Sequence, residues 1–169
     1  MDILDQLKKA GLPPPLMKDA LQGVSDRFPE KLTKLTELLS TAEGGDYKVI
    51  LVFGNDSPFK DKFCAAFMKW YMVAKNKTGR WITNILPDDQ MIGMAGITVV
   101  LSTHLLSPIA VRMLASAIRE KVPLNRTFVL CATSKDEFDK VFGEETMTFI
   151  SHISVAVDVS VARASIMEI

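Results

Sequence analysis

Apolar positions recur along this chain in two periods, and the two periods alternate. Asp2 to Ala10 places Ile3, Leu4 and Leu7 on one helical face, and Gly11 with Pro13-Pro14-Pro15 ends the pattern. Leu16 to Val24 is a second short helical stretch, closed by Arg27-Phe28-Pro29. From Pro29, Leu32, Leu35, Leu38 and Leu39 form one stripe that core packing explains, and Gly44-Gly45 separates it from the next apolar segment. Lys48 to Phe53 is a continuous apolar run of strand length, stopped by Gly54. After the polar stretch Asn55-Asp56-Ser57-Pro58, Phe59, Phe63 and Phe67 return to helical spacing, with Pro58 suited to the first helical position.

The alternation continues to the C-terminal end. A basic tip, Lys75 to Arg80, leads into a strand over Trp81 to Leu86. Gly96 to Leu101 is a third strand, and Ser107-Pro108 opens a helix with Ile109, Val111, Met113, Leu114, Ala117 and Ile118 on a broad apolar face. Arg126 to Cys131 is a fourth strand. Ser134 is placed to cap a helix over Lys135 to Phe142, with Glu137 placed to reach back, and Glu144 to His152 is again helical. Ile153 to Val161 alternates strictly and reads as a fifth strand, while Ala162 to Ile169 carries no clear pattern. Five strands interleaved with helices imply an α/β domain, mostly parallel, with helices on both faces. Residues 1–45 read as a helical arm packed on that domain and residues 46–169 as the domain itself.

Composition adds bounds. The 169 residues fit one domain with a sizeable core. Twenty basic and twenty acidic residues give no net charge, so nothing drives the whole molecule toward nucleic acid. Cys64 and Cys131 lie in apolar segments and read as buried, reduced thiols; two cysteines and two separated histidines give no metal-ligand spacing. The N-terminal residues lack a secretory pattern and no apolar run approaches a membrane span, so a cytoplasmic protein without membrane contact is expected.

Strand, glycine turn and helix with a lysine near its start is the geometry of a phosphate-binding loop. Its chemistry is missing here. Such a loop reads Gly, four residues, Gly, Lys, then Ser or Thr. The corresponding register is Gly54, four residues, Phe59, Lys60, Asp61. Phe59 fills the space through which backbone N–H groups would close on a phosphate, and Asp61 replaces a magnesium ligand with a charge that repels phosphate. Lys60 alone survives, and it reads as a solvated surface lysine.

The chain nevertheless resembles the ATPase domain of the DnaC/DnaI/IstB group, the bacterial helicase loaders and transposition ATPases of the AAA+ class. The likeness rests on Ala10-Gly11-Leu12-Pro13-Pro14 and Met17 to Leu21, on the strand–loop–helix from Tyr47, and above all on Ile97 to Phe142. There a strand, Ser107-Pro108, Val111-Arg112, Leu124 to Cys131 and Lys135-Asp136-Glu137-Phe138 follow that family's order. The resemblance implies a P-loop NTPase-like, five-stranded domain. That family's C-terminal helical lid would need several more helices, so a lidless domain is expected. The family's catalytic positions are altered. Ser102 and Thr103 stand where two acids should end the Walker B strand, Ala132 stands at the polar sensor, and His152 at the arginine finger. Loss of the arginine alone costs roughly 10³–10⁵ in rate. The resemblance with these losses implies a non-hydrolysing protein with no nucleotide or magnesium cofactor. It would act on a protein partner, namely a replicative helicase, a DnaA-type initiator or an AAA+ paralogue, as an adaptor or regulator in replication initiation. Two alternatives stand beside this. One is a nucleic-acid-binding or transposition accessory protein using Lys69, Lys75, Lys77 and Arg80 with Trp70 and Trp81. The other is a nucleotide-binding switch in which Lys60 still contacts phosphate.

Other chemistry is thinner. Ser102 and His104 are near in sequence, yet no acid is evidently placed to orient the imidazole, and His104 reads as a loop histidine. Asp88-Asp89 and Glu144-Glu145 read as helix-start acids. Met91 and Met94, among nine methionines, offer adaptable contacts but are more simply core filling.

Overall fold

A computed structural model describes residues 2–22, 29–41, 47–54, 57–85, 92–159 and 166–168. Its elements are α1 (Ile3–Lys9), α2 (Met17–Gln22), α3 (Pro29–Ser40), β1 (Val49–Phe53), α4 (Ser57–Ala74), β2 (Gly79–Ile82), β3 (Ile97–Val100), α5 (Pro108–Lys121), β4 (Thr127–Ala132), α6 (Lys135–His152), β5 (Ser154–Asp158) and β6 (Ile166–Glu168). The strands form one sheet in the order β2-β3-β4-β1-β5-β6. The first five are parallel, and β6 is an antiparallel edge strand added by the tail that had no pattern. This is the expected α/β class, with a five-stranded parallel sheet of P-loop-like, Rossmann type between two layers of helices.

The parallel strands are apolar on both faces because both faces are covered. Ile50 and Val52 of β1, with Val129 and Cys131 of β4, face a core shared with α1 to α4, whose fully buried side chains include Phe63, Phe67, Leu35 and Leu7. Val49, Leu51 and Phe53, with Phe128, Leu130 and Ala132, face a second core with Leu114 and Ile118 of α5 and Phe138 and Ile150 of α6. The N-terminal arm is tied down as well. Leu7 is fully buried, and the Ala10 carbonyl accepts from the Trp81 N–H at 2.7 Å, covering part of the free edge of β2.

Several details differ from the sequence pattern, among them the ends of β2, which stops at Ile82, and of β5, which runs over Ser154–Asp158. Strand β2 begins at Gly79, two residues before the apolar run, because Gly79 and Arg80 pair with Ile97 and Thr98. Helix α4 begins at Ser57, so Pro58 is its second residue. The two helical stretches after Ser134 form one element kinked at Gly143, where φ is 80° and ψ is 168°. Ser134 does not cap α6 with its side chain; its hydroxyl and that of Thr133 both donate to the Glu137 carboxylate. The Asp88-Asp89 turn and Met91 lie outside the described residues.

Candidate functional site

The topology picks out one crevice. From β1 the chain crosses β4 and β3 by way of α4, on one face, to reach β2 at the edge. From β4 it crosses β1 by way of α6, on the other face, to reach β5. The connections leaving the neighbouring carboxyl ends of β1 and β4 therefore diverge to opposite faces. In open parallel sheets such a switch point is where ligands bind. Gly54, Lys60, Asp61 and Ala132 all gather here. Asn55 and Asp56, in the loop itself, are outside the described residues.

Lys60 does not point out of this crevice. It is 5% exposed, and its Nζ donates to the Ala132 carbonyl at 3.0 Å, across 72 residues of chain. The reading of Lys60 as a solvated surface lysine is thus corrected: the side chain bridges the first turn of α4 to the end of β4. The same carbonyl accepts from the Gly54 N–H at 3.3 Å, so Ala132 anchors both the glycine turn and the lysine. A buried ammonium needs such a partner, since burying it unpaired costs several kcal/mol. Phe59, beside it, is half-buried and packs on the α1–α4 core. Asp61 is also half-buried. Desolvation raises its pKa above the ordinary 3.8, and the Lys60 charge partly opposes the rise.

One turn further along α4 the two cysteines meet. Their sulfurs are 3.4 Å apart and both side chains are buried, as free thiols. The hydrogen bond with Cys131, together with burial, pushes the Cys64 thiol well above its usual value. The pair is therefore poorly suited to thiolate chemistry.

The positions that the sequence resemblance assigns to two acids lie at the next strand end. Ser102 is half-buried with φ of 51°, and Thr103 is buried with its hydroxyl 3.4 Å from the Val100 carbonyl. Neither brings a carboxylate. An acid does stand near His104, which corrects the sequence expectation. Glu137 Oε2 is 3.8 Å from His104 Nε2, and Glu137 Oε1 accepts from Thr133 and Ser134. The carboxylate thus lies between hydroxyls and imidazole. The hydroxyls donate to it and are not activated by the ring, the reverse of a nucleophile–base–acid order. His104 Nδ1 is buried with no hydrogen-bond partner among the described residues. The sequence signal for this cluster was Glu137 three residues after Ser134, which also fits a capping box.

His152 ends α6 and is exposed. The basic cluster is split. Lys75 donates to the Leu39 carbonyl at 3.0 Å, and Trp70 stacks on Phe67 with ring centroids 5.9 Å apart. Lys77 and Arg80 line a cleft with Trp81, and Lys69 is not among its lining residues. Among the described residues no group of three or more His, Cys, Asp or Glu side chains could hold a metal ion, and no helix is long and apolar enough to cross a membrane. Neither a family model nor a curated protein matches this chain.

Proposed function

We propose that this chain is a P-loop-type scaffold that does not hydrolyse ATP and that works by binding another protein. The observation that carries this reading is the inward lysine. A nucleotide-loop lysine must reach β- and γ-phosphate oxygens. Here the ammonium is spent on Ala132, and turning it outward would forfeit a hydrogen bond to a charged group worth about 1.5–3 kcal/mol. Ser102 and Thr103 offer hydroxyls where carboxylates would hold magnesium, so among the described residues charge stabilisation of a phosphoryl-transfer transition state has no evident source.

A protein partner is supported by the surface at the start of α5. Leu105, just before α5, is 75% exposed, and on α5 Ile109 is 50% exposed, with Arg112 one turn further along and also exposed. Apolar residues with arginine are the mixture that protein interfaces favour. By the sequence resemblance, the partner is a replicative helicase, a DnaA-type initiator or an AAA+ paralogue, and the role is adaptor or regulator in replication initiation. Two measurements test this. Purified protein with Mg·ATP is expected to show no turnover above background; magnesium-dependent turnover abolished by Lys60→Ala would refute the first half. Biolayer interferometry against those three proteins from the same cell should reveal one that binds, with binding lost in Leu105→Asp/Ile109→Asp. Absence of binding to all three would refute the second half.

A further inference from the structure

At the opposite end of the sheet from the switch point, a cleft of about 800 Å³ opens between the C-terminal ends of α1 and α4 and the chain leading into β3. We propose that this cleft binds a small organic anion, one phosphate or carboxylate on a flat apolar body. The charge of its lining is the first reason. Lys9, Lys77 and Arg80 line it, and none of its described lining residues is acidic, in a chain whose net charge is zero. Lys9 and Lys77 on one concavity raise the local potential for an anion there. The second reason is the apolar wall, made by Met72, Met94 and Trp81, with two polarisable thioethers beside an indole. Its size falls in the range of small-molecule sites.

The third reason is that the lining is built into the fold. A Cβ at Gly79 would meet the Met72 sulfur at 2.6 Å, and a Cβ at Gly96 would meet the Lys77 stem at 2.4 Å. The missing side chains let Met72 and Lys77 lie flat along the wall. Thr78 fixes the same corner: its hydroxyl accepts from the Gly96 N–H at 3.3 Å and its carbonyl from the Ile97 N–H at 3.0 Å. On the far side, Trp81 is held to α1 through the Ala10 carbonyl. Lys77 is half-buried and Lys9 is exposed at the mouth. The anionic group is thus expected at the Lys9–Lys77 side and the flat body against Trp81 and the methionines.

The test uses the full chain and three probes, 1-naphthyl phosphate, 1-naphthoate and neutral 1-naphthol, followed by tryptophan fluorescence and calorimetry. One-to-one binding of an anionic probe is expected, at least ten-fold tighter than naphthol. Comparison of phosphate with carboxylate identifies the preferred headgroup. Lys77→Gln, and Lys9→Gln to a smaller degree, should weaken the anion about ten-fold while leaving naphthol affinity unchanged, with the melting temperature confirming a folded protein. Gly96→Ala should weaken all three probes by displacing the Lys77 stem. Equal affinity for naphthol and its anionic analogues, no binding of any probe at millimolar concentration, or full retention of anion affinity in a folded Lys9→Gln/Lys77→Gln variant would each overturn the proposal. So would salt-dependent binding of a single-stranded oligonucleotide through Lys77 without small-anion binding.

Discussion

Replacing Lys60 separates a structural lysine from a phosphate-binding one. The side chain is 5% exposed and its ammonium donates to Ala132. Lys60→Ala removes three buried methylenes, worth about 2.4 kcal/mol at ~0.8 kcal/mol each. It also removes a hydrogen bond to a charged group, about 1.5–3 kcal/mol. Against these stands relief of the ammonium's burial, which returns about 2 kcal/mol for an ion that already keeps a hydrogen-bond partner. The net loss is expected to be about 2–3 kcal/mol. Lys60→Met keeps an apolar stem of similar length and also discards the buried charge, while Ala132 still accepts from Gly54. Its cost is expected to stay within about 1 kcal/mol of wild type. Urea unfolding followed by circular dichroism measures both, with an unchanged slope confirming that stability alone has moved. In thermal melts Lys60→Ala should fall by about 5–10 °C, taking roughly 2–4 °C per kcal/mol for a chain of this size. A Lys60→Ala variant within about 0.5 kcal/mol of wild type would refute the inward placement, since that is how an exposed lysine behaves.

Other substitutions test other parts of the fold. Asp61 has a raised pKa, chiefly from desolvation. An acid raised on folding is favoured when protonated, so its cost grows as pH rises from about 3.8 through the higher folded value. Asp61→Asn should therefore gain stability over wild type at neutral pH and lose that advantage below the ordinary carboxylate range. The gain should stay under ~1 kcal/mol, since solvent screens a half-exposed group; a gain that grew on acidification would contradict the placement. The Tyr71 hydroxyl and Thr127 Oγ1 are 2.7 Å apart and buried. Tyr71→Phe and Thr127→Val should each cost about 1–2 kcal/mol in urea unfolding, with a coupling near 1 kcal/mol in the double variant; additive losses would show that the pair does not interact. A Cβ at Gly143 would touch nothing within 4 Å, so Gly143→Ala tests backbone strain alone at φ of 80° and should cost about 1–3 kcal/mol by the same assay. A neutral result would mean the kink is absent. Ellman's reagent should find Cys64 and Cys131 inert in the native protein and reactive once it is denatured; rapid native labelling of either would contradict their burial.

The buried parallel strands were legible in sequence to within a few residues, because coverage on both faces forces continuous apolar runs such as Val49–Phe53 and Thr127–Ala132. Strand β2 was displaced because its first residues, Gly79 and Arg80, carry no strand signal and are recruited by β3. Strand β6 was missed because a three-residue antiparallel edge has too little pattern to read. At the crevice, the glycine turn and the lysine could be found from spacing. The direction of the lysine could not, since it depends on a carbonyl 72 residues away. The contact between Cys64 and Cys131, and that between His104 and Glu137, were invisible for the same reason: each joins separate elements that only the sheet order brings together. The basic tip reads as one cluster along the chain, but the fold spends Lys75 on Leu39 and turns Lys77 and Arg80 into a cleft.

Calorimetric titration of Mg·ATP and Mg·ADP into the wild-type protein and Lys60→Met bears most directly on whether the crevice has given up nucleotide. With the ammonium committed to Ala132, neither nucleotide should give saturable heat and the two proteins should be indistinguishable. Saturable binding to wild type tighter than roughly 100 µM, lost in Lys60→Met, would contradict it.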